Sequence, residues 1–245
     1  IVGSVRCVSE TGSILAGMRK RVLFIFTLIA LQACSSTSNR SFSDGLLVSK
    51  TEPAMSVRVA SDFEYLGPEE FLLGETHEAE RHHFVQRTGD EVTALLVFQF
   101  ERILDGVPGQ YEFNIPPEEH IAGSNYRFAQ LPVRLGQHDY VHNTWAFNTR
   151  ESARENPGKE SDRTLRMLEA HGYKVDDGLI MARYVRAVGE DGRKEVIIFY
   201  MEPLSRSGYD INDFPDGGPA TDTFDRLSGE VVARARNAFD VLPGG

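Results

Sequence analysis

The chain has 245 residues, 41% of them hydrophobic and 25% charged, with 36 acidic against 26 basic side chains and a net charge of −10. That length supports one substantial core, and the negative balance argues against direct binding of nucleic acid or of anionic lipid surfaces, both of which need clustered Lys and Arg. The only two cysteines, Cys7 and Cys34, precede the part that reads as folded, so no disulfide staples it and no thiolate serves it as nucleophile or metal ligand.

Residues 1–17 read as an upstream extension, because they begin with Ile and precede Met18. Met18-Arg19-Lys20-Arg21 is a basic cluster, Val22 to Leu31 is a nearly unbroken apolar run too short to span a bilayer as a helix, and Ala33 is a small residue before Cys34. These are the parts of a removable secretory signal. Leu31-Gln32-Ala33-Cys34 resembles the lipobox of bacterial lipoproteins. The resemblance implies a signal peptide over residues 18–33 and a diacylglycerol thioether on Cys34 with an acylated amino terminus. It also implies a membrane contact made through those acyl chains, two or three of which hold firmly. In many lipoproteins an aspartate after the cysteine favours retention in the inner membrane. Here Ser35 stands there, so the resemblance implies outer-membrane delivery with the domain in the periplasm.

Residues 34–50 are rich in Ser, Thr, Asn and Asp and are expected to form a flexible tether. Residues 51–245 are expected to form a single globular domain. Glu91 to Leu104 is long, apolar on both alternate faces and bounded by Gly-containing turns, as a central strand would be. Tyr111, Phe113 and Ile115 alternate after it, which predicts a three-strand meander over residues 80–115. Asn125 to Leu135 and His138 to Asn148 are further strand candidates, followed by a polar loop over Glu151 to Lys159. The pattern at Asp162 to His171 predicts a helix capped by Asp162 and ended by Gly172. Leu179 to Val188 and Lys194 to Met201, joined by Gly189-Glu190-Asp191-Gly192, predict a hairpin. Thr223 to Leu242 carries apolar residues at helical spacing and predicts a closing helix. The expected fold class is α+β: an antiparallel sheet of about five to seven strands with a middle helix and a C-terminal helix packed on it.

Several residue clusters carry chemistry. His77, His82 and His83 lie in one short segment, but the spacing is not that of paired zinc ligands on one helical face, so His77 with His83 is the only metal pairing left and a solvated charged segment is the simpler expectation. Asp210, Asn212, Asp213 and Asp216 resemble a calcium loop, yet Phe214 stands where an EF-hand has an acid, and an acidic turn capping the last helix also accounts for them. No nucleophile elbow, phosphate loop or dinucleotide fingerprint is present, and no cofactor is expected. For a hydrolytic site assembled from distant residues, His82, His83, His138 and Glu101 are the candidates. Trp145 and Phe147 share one strand face and are candidates for stacking on a ligand, with a core role as the simpler alternative. The expectation drawn from anchor, tether and acidic domain is a periplasmic lipoprotein acting by binding or in envelope assembly, with an envelope protein as partner. An envelope hydrolase and a metal- or calcium-stabilised module are the alternatives.

Overall fold

The computed structural model describes residues 39–113, 126–128, 132–214 and 221–243. Strands dominate. The chain runs β1 (Arg40–Ser43), β2 (Leu46–Ser49), β3 (Met55–Val59), β4 (Glu64–Leu73), β5 (His77–Thr88), β6 (Glu91–Ile103), β7 (Tyr126–Phe128), β8 (Val133–Leu135) and β9 (His138–Asn148). Helices α1 (Thr149–Glu155) and α2 (Glu160–Ala170) follow, then β10 (Gly178–Val188), β11 (Lys194–Pro203), two 3-10 turns, α3 (Thr221–Ala238) and β12 (Phe239–Val241).

Two antiparallel sheets result. The large one has the order β4-β5-β6-β11-β10-β9-β7, with β8 also paired to β9, and the small one has the order β1-β2-β3-β12. The glycine-rich turn between β10 and β11 closes the hairpin expected there, with Val188 opposite Lys194. Strand β6 is central and buried on both faces, as its continuous apolar run demands.

The faces of the large sheet have different covers. On one face Phe84, Phe98, Tyr184 and Ile198 meet α3 and the small sheet, with edge-to-face contacts from Phe98 and Tyr184 to Phe239 of β12 at 5.8 and 5.9 Å. On the other, Val85, Leu95, Val97, Met181 and Met201 meet Ala153 of α1 and Leu165 and Leu168 of α2.

The structure departs from expectation in several places. Among the described residues the domain is mostly β, with two sheets where one was expected and three α-helices where two were. The stretch expected as tether is strand from Arg40 onward, because Leu47 turns into the core and holds the first hairpin down. The meander is β4-β5-β6. Residues 111–113 form no strand, and Tyr111 instead donates its backbone N–H to Gly192 O at 2.7 Å, on the β10–β11 turn. Of the loop expected over Glu151 to Lys159, residues 151–155 belong to α1, because the Asn148 side chain accepts the Glu151 N–H at 2.9 Å and starts the helix at Thr149. Helix α2 starts two residues before Asp162, whose carboxylate reaches back to the Gly158 N–H at 2.7 Å. The last helix stops at Ala238, and Phe239–Val241 pairs with β3 instead.

A cleft between the large sheet and the helical hairpin

Alternate residues of the large sheet's second face change character in the same direction on every central strand. Along β6 they read Leu95, Val97, Gln99, Glu101, and along β11 Met201, Phe199, Ile197, Glu195. On β10, Leu179 and Met181 precede Arg183, and on β5 Val85 and His83 precede Arg81. Six residues of strand cover about 20 Å, so this face runs from an apolar end to a charged end over that distance. Helices α1 and α2 cross above it without closing it. The cleft between them has a volume of about 430 Å³, within the range of about 300–1,000 Å³ typical of small-molecule sites. Trp145 and Phe147 of β9 share its wall, their ring centroids 6.3 Å apart.

The charged end is organised around two carboxyls. Glu101 and Glu195 are directly opposite in the β6–β11 register, where facing side chains start only about 5 Å apart. Like charges at that range cannot both ionise cheaply. Burial, the Glu101 charge and a hydrogen bond to Glu101 push the Glu195 carboxyl up to about 9, so it holds its proton at neutral pH. Glu101 accepts from Gln99 Nε2 and from the Tyr111 hydroxyl, the latter at 3.2 Å.

The arginines at this end have other duties. Arg81 is 2% exposed; its Nη1 donates to Glu160 O at 3.1 Å and Thr164 Oγ1 at 3.0 Å, tying β5 to the first turns of α2. Burial lowers it only to about 10, so it stays charged, with Glu160, Glu69 and Glu101 opposing the shift. Arg183 lies over Trp145, 5.9 Å from the ring centroid. Among the polar atoms on the wall of the cleft, Arg81 Nε and Thr149 Oγ1 are buried without a hydrogen-bond partner. Such groups usually find a partner.

Of the residues singled out in the sequence, Glu101, Trp145 and Phe147 come together here. The histidines do not join them. His82 points to the opposite face, where Nδ1 meets the Tyr65 hydroxyl at 2.8 Å and Nε2 meets Glu80 at 2.9 Å, with Arg40 bonded to Glu80 at 2.6 Å. His83 shares the cleft's face of β5 but is 1% exposed, and burial depresses it to about 2. The expected solvated segment is thus a buried strand. His77 and His83 are six strand residues apart, about 20 Å, too far for one ion. His138 is exposed at the start of β9, lowered from its usual value by burial and by Arg186. Asp210 and Asp213 cap the second 3-10 turn, accepting the N–H groups of Asn212 and Asp210 at 2.9 and 2.7 Å, so their oxygens face the backbone. They cap this turn and not the last helix. Asp216 and Cys34 lie outside the described residues. Among the described residues no three His, Cys, Asp or Glu side chains gather as a metal site.

Sequence reasoning missed Glu195, Arg81 and Arg183. The signal for Glu195 was present as an acid at the head of the apolar run of β11, but its partnership with Glu101 exists only in the register of two distant strands. Compared with protein-family models, with curated proteins and with solved structures, the chain matches none.

Proposed function

We propose that this chain is an envelope lipoprotein whose periplasmic domain binds a small amphipathic molecule in the cleft, without transforming it. The carrying observation is the cleft itself, graded from Leu95, Met181 and Met201 at one end to Glu101 and Glu195 at the other. Such a surface suits a molecule with an apolar body and a polar head. Delivery to the outer membrane through Cys34, and exchange of the bound molecule with an envelope protein partner, belong to the same proposal and rest on the lipobox resemblance.

One observation favours a hydrolase as the second reading: two facing carboxyls, one of which holds its proton, inside a cleft are an arrangement that acid–base catalysis uses.

Trp145 is the only tryptophan in the chain, so its emission reports on the cleft alone. In a titration with N-phenyl-1-naphthylamine, the binding reading expects saturable energy transfer from Trp145 at one site per chain, reversed by decanol. Energy transfer that never saturates, or none at all, would refute it.

A further inference from the structure

We propose that the charged end of the cleft recognises a cationic amine head, and that an entering ammonium replaces the proton held between Glu101 and Glu195. This rests on the ligand-binding reading above and names the class of molecule bound: an aliphatic or arylalkyl primary amine with an apolar body. At about 30 Å³ for each water-sized volume, the cleft has room for about fourteen such units, the size of a short alkylamine.

The argument is one of charge and commitment. The groups facing the Glu101–Glu195 pair are Arg81 from β5, Arg183 from β10, Glu160 from α2 and Tyr111 from the segment after β6. Behind them Glu69 of β4 is paired with Arg163 of α2 at 2.9 Å. With one proton on the pair, the two arginines balance the pair's single charge and Glu160, and the site is neutral. An ammonium that enters while the Glu195 proton leaves to solvent keeps it neutral, with both carboxylates then ionised and paired. An anion has no such exchange open to it. It would face Glu101 and Glu160, and Arg81 Nη1 is already bonded to Glu160 O and Thr164, which leaves it the buried Nε of Arg81. An uncharged hydroxyl gains a hydrogen bond but leaves the proton where it is.

The high proton affinity of Glu195 supports the exchange, because it means a proton is present to be released throughout the neutral range. An alkylamine, with a value near that of lysine at about 10.4, stays charged over the same range. Each amine bound therefore releases one proton, and linkage requires its affinity to climb about tenfold per pH unit until the pair ionises by itself.

The test uses the full chain and three probes of equal chain length: decylamine, decanol and decanoate, each titrated against Trp145 emission at pH 6, 7 and 8. The expected result is decylamine binding at least tenfold tighter than decanol at pH 8, rising about tenfold per pH unit from pH 6 while decanol is flat. Glu195→Gln, which keeps a hydrogen bond to Glu101, is expected to lose both the preference and the slope while still binding decanol, which shows its cleft intact. Equal affinity for decylamine and decanol, or a decylamine affinity flat in pH, would overturn the amine proposal and leave ligand binding standing. Tightest binding of decanoate would overturn it in favour of the arginines. Binding of none of the three would remove it together with the proposed function.

Discussion

Glu202 is the most demanding single residue of the fold. It is wholly buried on β11, bonded by the Tyr200 hydroxyl at 3.1 Å and by Arg234 Nε at 2.9 Å, with Arg234 Nη2 on its other oxygen. Because Arg234 belongs to α3, the pair clamps that helix to the sheet. Removing Arg234 leaves the buried Glu202 charge with the more distant Arg206, whose Nη1 stands 3.7 Å away, so Arg234→Met is expected to cost about 3 kcal/mol, read by urea denaturation. A double variant, Arg234→Met with Glu202→Leu, should recover much of that loss, since the desolvated charge goes with its partner. The same reasoning shows why no residue list drawn from sequence could have ranked Glu202 first: it is one acid among 36, and only the register of β11 turns it inward.

At the level of elements, the helical hairpin and the inter-sheet contact each have one critical point. Leu168 of α2 is 2% exposed and is the hairpin's deepest anchor on the sheet; Leu168→Ala is expected to cost about 2–5 kcal/mol and to raise hydrogen exchange in α1 and α2 before the strands. Gly136, between β8 and β9, has φ +56°, and a Cβ there would stand 2.7 Å from the Val241 carbonyl oxygen of β12. Gly136→Ala should therefore force the small sheet off the large one, at about 1–3 kcal/mol, with a thermal melt as the measure. How much of these elements was legible follows local physics. Strands β6, β10 and β11 announce themselves by long apolar runs, and β9 by Tyr140, Trp145 and Phe147 set among polar residues after Gly136. Helix α1 does not, since only Thr149 and Ala153 face inward, although Asn148 followed by Glu151 carried a capping signal. In β5 the histidines and arginine disguise a strand, because charge in sequence says nothing of burial by a partner helix. The cleft was half legible: Trp145 and Phe147 share a face by simple alternation, whereas the Glu101–Glu195 pair needs two strands whose register no single segment encodes.

For the whole molecule, buried titratable groups set a stability optimum. Burial holds His83 near 2 and His142 near 4, so below about 6.5 the unfolded chain binds protons that the folded one refuses, and stability falls as pH drops. Glu195 acts with the opposite sign. Its folded-state value is raised, so above about 4.5 the folded chain keeps a proton that the unfolded one has lost, and stability falls as pH climbs toward 9. Urea denaturation is expected to show a maximum near pH 6.5, with limbs of at most about 1.4 kcal/mol per pH unit for each group. Glu195→Gln should flatten the alkaline limb and His83→Leu the acid one. The small sheet carries a different consequence. Its fourth strand pairs Val241 with Val57, so the layer over half the core cannot close until residues 239–241 are present. Loop closure between such remote segments is slow, and until it occurs β3 offers an open edge bearing Val57 and Val59. A chain still being synthesised would carry that edge uncapped, open to pairing with another strand until residues 239–241 emerge.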